Sequence, residues 1–326
     1  MNILSDKGNP PEMFLAESMK RHRVAGAAFA LIRSGELAHT GFCGVADPEE
    51  DRPVDASTHF EIASLTKTVF ARCILQLEDR GLLRLDRPLR EYSDEPLPTD
   101  DPAFRDVTAR DVLTHATGLP NWGDAPLPLL FAPGTGFGYS GKAYTFLQNV
   151  VEKITGSRID VLLQDEIFNP LGMKNAAMIW TGPLNRTLSR TFDADGVIEP
   201  LRSSCRRTVA VEPNAAFSLC VTISDYTKFA LQLLSEPETI DRIRSFRNPV
   251  TEDVSWGLGW GLCRETLWHW GDNDGFKAFV ILDPATKDGV VIHTNSFNGL
   301  DVCYEFIEEL TGFDMRSIRE MVAAAE

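Results

Sequence analysis

Long apolar runs and an excess of positive charge are both missing from this 326-residue sequence. No stretch is long enough to span a bilayer, and the first residues, MNILSDKGNPPEMF, lack the basic start and apolar core of a secretory signal. Lys and Arg number 32 against 47 Asp and Glu, which gives a net charge of −15. Such a chain is repelled by nucleic acid and by anionic membrane surfaces, so we expect neither as a partner.

Motifs for metal binding and for redox chemistry are missing as well. The six histidines are isolated, and the six cysteines show no C-x-x-C spacing. The cysteines are Cys43, Cys73, Cys205, Cys220, Cys263 and Cys303. We therefore expect no metal and no cofactor, and we expect reduced, mostly buried cysteines in a cytoplasmic protein.

Strand-like runs lie near both ends of the chain, and helical patterns lie between them. Residues 24–33 and 36–46 are joined by Ser34 and Gly35, which is typical of a hairpin. Aromatic and β-branched runs return late in the chain as VSWGLGWGL, TLWHW, FKAFVILD and DGVVIHTN. Apolar spacing predicts helices at 10–22, from 64 onward, and at 109–117, 144–155, 159–167, 224–234 and 301–310. These elements predict one α/β domain from residues 1–75 and 240–326, a helical domain from 76–239, and a ligand site in the cleft between them.

A serine and a lysine three residues apart begin the helix that follows HFEIA. Ser64 stands where the helix starts, so its hydroxyl lies near the positive end of the helix dipole. Lys67 falls on the same helical face, and a lysine whose pKa is lowered by burial can accept the proton of a serine nucleophile. The same two residues also fit a helix N-cap and a solvated lysine. The spacing alone leaves both interpretations open.

The stretch GFGYSGKAY, residues 136–144, also has two interpretations. Gly136, Gly141 and Lys142 match most of the phosphate-binding pattern G-x-x-x-x-G-K. However, Ala143 replaces the Ser or Thr that would ligate magnesium, and three prolines interrupt the strand that should come before it. In the other interpretation, Tyr139 is presented on a turn for acid–base chemistry.

In chain order, SLTK at residue 64, YSG at residue 139 and HWG at residue 269 resemble the motifs of the serine β-lactamase and penicillin-binding-protein superfamily, in its class C-like branch. DVLTHATGLP, FAPGTGFGYSG, IFNPLGMKNA, FSLCVTISDYTKFA and WGLGWG also fall in the order of that branch, over about residues 25–298. The resemblance implies an α/β (α+β) fold with an antiparallel sheet flanked by helices. The resemblance favours the interpretation in which Tyr139 serves acid–base chemistry. The branch includes carboxylesterases and D-amino-acid peptidases.

The resemblance implies a role for each matching residue. Ser64 would be the nucleophile that forms an acyl-enzyme, and Lys67 would be its general base or part of its proton network. Tyr139 would pass a proton to the leaving group. The backbone N–H groups of Ser64 and of Asp272, which follows Gly271, would form the oxyanion hole. The group that activates the deacylating water is not predicted.

Two positions depart from the pattern of the family. Gly141 replaces the Asn of the Y-x-N motif, which contacts the amide of β-lactam side chains. In His269-Trp270-Gly271, the hydroxyl of K-T-G or H-T-G that helps to hold a substrate carboxylate is gone. His269 fits either a site residue or a packed strand residue, whereas Trp270 and Trp122 are candidates to line an acyl pocket. We therefore expect a carboxylesterase that acts on small esters.

Other functions remain open from the sequence. A β-lactamase or D-amino-acid peptidase acting on an amide would use the same Ser64, Lys67 and Tyr139. A non-catalytic module of this fold is a further alternative, since two altered motifs are what a decaying site would show. His115 is expected to be a buried structural residue. The acyl chain length, the role of Lys142 and the oligomeric state are not predicted.

Overall fold

A nine-stranded antiparallel sheet dominates the computed structural model, which describes residues 10–179, 182–199 and 212–325. Its strand order is β3-β2-β1-β11-β10-β9-β8-β7-β6, and β4 pairs with β5 in a separate small sheet. The strands are β1 Gly26–Arg33, β2 Glu36–Asp47, β3 Arg52–Pro53, β4 His59–Glu61, β5 Cys220–Thr222, β6 Asn248–Pro249, β7 Val254–Trp256, β8 Gly261–Cys263, β9 Thr266–Asn273, β10 Phe276–Asp283 and β11 Asp288–Thr294. All these pairings are antiparallel, which confirms the predicted fold class.

Helices follow the predicted order, with differences at their ends. They are α1 Pro11–His22, α2 Thr66–Asp79, α3 Ala109–Leu113, α4 Gly141–Thr155, α5 Ile159–Leu163, α6 Asn169–Leu171, α7 Gly182–Thr187, α8 Ile223–Leu234, α9 Pro237–Ser245, α10 Gly299–Thr311 and α11 Arg316–Ala325. The helix predicted at 109–117 ends at Leu113, because His115 takes a left-handed φ of +53° that no α-helix accepts. The helix predicted at 159–167 continues beyond α5 as a π-helical turn, Gln164–Phe168.

The central strands are apolar throughout because both faces of the sheet are covered. Alternate residues of β1 enter two different cores. Ala28, Ala30 and Ile32 pack with α2 and α8, and Ala27, Phe29 and Leu31 pack with α1, α10 and α11. The hairpin between β1 and β2 is confirmed: Ser34 and Gly35 have φ values of +52° and +79°, as a tight primed turn requires.

The sheet draws its strands from both ends of the sequence, residues 26–53 and 248–294. Helix α8, from the middle of the chain, packs against β1 and β11. The predicted division into 1–75 with 240–326 and 76–239 stays a prediction. Strand β10 is antiparallel to both of its neighbours, and the described segment between α3 and α4 has no strand. The Gly136–Lys142 stretch therefore lacks the parallel strand–loop–helix unit that a phosphate-binding loop requires.

Four of the described cysteines are buried: Cys73, Cys220, Cys263 and Cys303. Cys43 is partly buried, and Cys205 lies outside the described residues. The cytoplasmic location stays a prediction. Within the described ranges, no helix is both long and apolar enough to cross a bilayer. The same ranges hold no cluster of His, Cys, Asp and Glu suited to a metal ion.

Candidate active site

Ser64 lies at the entrance of α2, in a short 3-10 turn formed by Ala63–Leu65. Ala63 is buried and has a φ of +48°, a left-handed conformation that a residue with a Cβ rarely adopts. Such strained residues cluster at functional sites, because they hold a neighbour in a required position. Ser64 is partly exposed and lines a cavity of about 640 Å³.

Lys67 is completely buried one turn further along α2. Its Nζ lies 2.9 Å from Ser64 Oγ and donates to the carbonyl oxygen of Ala216 at 2.8 Å. Burial holds the pKa of Lys67 well below its ordinary value, because the charged amine is poorly solvated there. A neutral amine beside a serine hydroxyl can accept its proton. The solvated-lysine interpretation is therefore wrong.

The ring of Tyr139 packs against the Lys67 amine, and Nζ lies 4.9 Å from the centre of the ring. The ring centre of Tyr139 is 4.3 Å from that of His115 and 4.6 Å from that of Trp270. The next residue, Ser140, caps α4 through its hydroxyl and donates its backbone N–H to His115 Nδ1 at 3.1 Å. His115 is buried, as predicted, and it fixes the turn that carries Tyr139.

Gly271 allows β9 to pass directly against the residues before Ser64. A Cβ on Gly271 would lie 2.1 Å from the carbonyl oxygen of Ile62 and 3.2 Å from the Cβ of Ala63, so no side chain fits there. The following residue, Asp272, lines the same cavity as Ser64. The oxyanion hole built from the N–H groups of these two residues stays a prediction.

His269 lies in the interior and does not line the described part of the cavity. Its Nδ1 donates to the carbonyl oxygen of Trp270 at 2.6 Å, and its Nε2 has no hydrogen-bond partner among the described residues. Burial lowers the pKa of His269 to about 3, so the ring is neutral. This placement fits the packed strand residue rather than the substrate contact.

Trp122 explains why residue 141 is glycine. A Cβ on Gly141 would lie 2.3 Å from two carbons of the Trp122 ring. The residue before Trp122 is hydrogen-bonded to the start of α4. The side-chain oxygen of Asn121 accepts from the N–H of Gly141, and the backbone carbonyl of Asn121 accepts from the N–H of Lys142, each at 2.9 Å. These bonds hold the segment that carries the indole. The ring of Trp122 also packs edge-on against Phe217, at 5.6 Å between centres. An aromatic ring thus occupies the space next to residue 141.

Several groups around the cavity carried no signal in the sequence. Asn121, Phe217, Asn273 and Ala325 line it together with the expected Ser64, Trp122, Tyr139, Trp270 and Asp272. Phe217 belongs to the FSLCV stretch that resembles the family. Lys67 is bound by the backbone carbonyl of Ala216, a group that every residue type has, so the sequence gives no signal for this contact. Trp256 and Trp260 are buried in the cores instead.

Asn273 is held at the cavity by a buried carboxyl group on β4. Its Nδ2 donates to Glu61 Oε2 at 2.9 Å. Burial, and then the nearby charge of Asp274, raises the pKa of Glu61 to about 8. Glu61 is therefore protonated in the folded protein at neutral pH, whereas the unfolded chain has already released this proton above its ordinary pKa of 4.5.

The first prediction concerns this carboxyl group and the free energy of unfolding. Between about pH 4.5 and pH 8 unfolding releases the Glu61 proton, so stability falls as pH rises, on the order of 1 kcal/mol per pH unit. Glu61→Gln, which mimics the protonated form, should lose several degrees less in Tm between pH 5 and pH 9 than the native protein does. Glu17→Gln, on the exposed face of α1, should follow the native curve. Parallel curves for Glu61→Gln and native protein would contradict the assignment.

The chain resembles known proteins in sequence. The Beta-lactamase family model matches residues 12–309. Esterase EstB of Burkholderia gladioli is 30% identical over 57% of this chain and 54% of its own length. Penicillin-binding protein 4* of Bacillus subtilis is 29% identical over 52% of this chain and 40% of its own length. The chain thus spans about half the length of these relatives.

A solved structure supports the fold. D-alanine carboxypeptidase AmpC of Burkholderia cenocepacia superimposes with a TM-score of 0.76 at 18% identity, covering 92% of this chain and 98% of the other. The family match covers nearly all of the sheet and the cavity around Ser64. The chain therefore belongs to the Beta-lactamase family and has the β-lactamase fold.

Proposed function

We propose that this protein is a carboxylesterase that cleaves small esters through a covalent acyl-enzyme on Ser64. The observation that carries the proposal is the 2.9 Å contact between Ser64 Oγ and the buried Lys67 Nζ. This contact lies at a cavity whose walls are largely aromatic. A buried neutral amine next to a serine is the arrangement of an activated nucleophile.

The reaction proceeds in two stages. Lys67 accepts the Ser64 proton while Oγ attacks the ester carbonyl, and the N–H groups of Ser64 and Asp272 stabilise the oxyanion. The tetrahedral intermediate then collapses, the bond from carbon to the alcohol oxygen breaks, and the alcohol leaves with a proton delivered through Tyr139. Water hydrolyses the acyl-Ser64 ester in the second stage, which returns the serine and releases the acid.

The walls of the cavity favour an ester over a β-lactam or a D-peptide. Gly141 has no side chain to bind an amide, and Trp122 occupies the space next to it. Trp270 lines the cavity in the position where the family pattern has a carboxylate-binding hydroxyl. An ester needs neither contact, because an acyl chain in an aromatic pocket and an alkoxide leaving group are sufficient. β-Lactamase or D-amino-acid peptidase activity on the same Ser64 is the second candidate, since one relative is a penicillin-binding protein.

The second prediction is a comparison of substrates. Short-chain p-nitrophenyl esters should be turned over with a kcat/KM at least about tenfold above that of nitrocefin or D-alanyl peptides, since a missing recognition contact costs about that much. Ser64→Ala serves as the blank for each substrate. Faster turnover of nitrocefin than of every ester would contradict the choice of substrate class. If a fluorophosphonate probe failed to label the native protein at Ser64, the non-catalytic alternative would stand instead.

A further inference from the structure

The cavity around Ser64 has one charged wall. Among the described residues that line it, Asp272 is the one Asp or Glu, and no Lys, Arg or His is present. Four aromatic rings line the same cavity, from Trp122, Tyr139, Phe217 and Trp270. The site therefore combines four aromatic side chains with one carboxylate.

Lys277 holds the Asp272 carboxylate in place from outside this cavity. The two side chains form an ion pair across the β9–β10 hairpin, and Lys277 Nζ also donates to the carbonyl oxygen of Asp274 at 2.6 Å. Lys277 is buried, whereas the Asp272 side chain keeps 28% of its surface exposed. Lys277 lines a second cavity of about 330 Å³, and Asp272 lines both. A ligand beside Ser64 therefore meets the carboxylate before it meets the lysine.

The alcohol part of an ester would lie on this charged side. The leaving oxygen must approach Tyr139 to receive a proton, and the ring of Tyr139 packs at a tilt against that of Trp270, with 4.6 Å between the ring centres. Asp272 lies two residues after Trp270 on β9, so the two side chains leave the same face of the strand. Trp122 and Phe217, which pack against each other, form a separate wall that suits the acyl chain.

We propose that the Ser64 site prefers esters whose alcohol part carries an ammonium cation, such as a choline-type trimethylammonium group. The Asp272 carboxylate, which stays partly exposed, would pair with the cation. A carboxylate at the same position on the substrate would be repelled. This inference rests on the proposed esterase function and names its substrate class.

The third prediction tests charge alone, with two esters of the same shape. Butyrylcholine and 3,3-dimethylbutyl butyrate differ in that a carbon atom replaces the charged nitrogen. The native protein should hydrolyse butyrylcholine with a kcat/KM about tenfold higher, and added salt should reduce this ratio. Equal or lower turnover of the cationic ester would overturn the inference. Preferred turnover of an ester with a carboxylate on its alcohol part would overturn it as well and would point to Lys277.

A matched pair of variants locates the source of the preference. Asp272→Asn should bring the ratio of the two kcat/KM values close to one. Asp274→Asn removes the same charge from the same hairpin, but Asp274 is exposed and lies outside the described lining of the Ser64 cavity. This variant should keep the ratio of the native protein. Asn suits the positive φ of +47° at position 274. If Asp272→Asn kept the ratio of the native protein, the role of this carboxylate would be contradicted. If Asp272→Asn does not fold, the comparison of the two esters on the native protein still tests the inference.

Binding of the free alcohols separates this inference from the esterase proposal. If both esters are cleaved at equal rates, the cation preference fails and the esterase function stands. If neither of these esters nor any short-chain p-nitrophenyl ester is cleaved, the esterase function fails, and titration calorimetry with choline and 3,3-dimethylbutan-1-ol decides the remaining question. Tighter binding of choline, lost in Asp272→Asn, supports a cation site, and equal binding overturns it.

Discussion

Replacing Lys67 with methionine is expected to lower kcat/KM for p-nitrophenyl butyrate by about 10³-fold or more, close to the loss in Ser64→Ala. Methionine fills a similar volume without an amine, so Ser64 loses the group that accepts its proton. The packing around the site should persist, because Lys67 lies against the rings of Tyr139 and Tyr144, which a methionine side chain can also contact. The loss should appear in kcat rather than in KM, and it should remove labelling by a fluorophosphonate.

Two further variants define the role of the amine. Lys67→Arg keeps a positive charge that cannot be released near neutral pH, so it should be as inactive as Lys67→Met if Lys67 acts as a base. The double variant Ser64→Ala/Lys67→Met should be no slower than Ser64→Ala, because residues that act as a unit are not additive. Substantial activity in Lys67→Arg would instead show that the charge alone is sufficient.

The pH profile provides an independent test of the same residue. Because burial lowers the pKa of Lys67, the neutral amine is present well below the pH at which an ordinary lysine loses its proton. Native kcat/KM should therefore rise with pH as Lys67 deprotonates and reach its plateau below the usual lysine range. A profile that rises only near the ordinary pKa of lysine would place Lys67 in a solvated environment.

The parts of the fold that were predictable depend on local spacing. The β1–β2 hairpin follows from two apolar runs around Ser34 and Gly35, and α2 follows from apolar residues three and four apart. Ser64 and Lys67 meet because residues three apart in a helix share a face. Such signals lie within a few residues of one another, so they can be read without knowledge of the fold.

The parts that were not predictable depend on contacts between distant segments. Trp122 occupies the space beside Gly141 because Asn121 is hydrogen-bonded to the start of α4, and no pattern in the sequence joins these two segments. Glu61 reaches Asn273 across more than two hundred residues. His269 matches a family motif by position, yet its ring is buried behind the cavity. Position in a motif fixes where the backbone goes, whereas packing decides which side chains reach the substrate.

Replacing Tyr139 with phenylalanine should have an effect that depends on the leaving group. For an alkyl ester, the departing alkoxide is strongly basic and needs a proton from Tyr139, so kcat should fall by about 10²- to 10³-fold. For a p-nitrophenyl ester, the departing phenolate is stable without a proton, so the loss should be about tenfold or less. Phenylalanine keeps the ring contacts with His115 and Trp270, so the change isolates the hydroxyl.

Tyr144→Phe is the matched control for this prediction. Tyr144 is also a buried tyrosine whose ring lies against Lys67 Nζ, at 5.5 Å, but its hydroxyl contacts the carbonyl oxygen of Leu113 and lies outside the described cavity lining. Its removal should change alkyl and p-nitrophenyl esters equally. Comparing ethyl butyrate with p-nitrophenyl butyrate in both variants gives the result. An equal loss for the two esters in Tyr139→Phe would assign Tyr139 to positioning Lys67, because only a proton donor distinguishes leaving groups by their basicity.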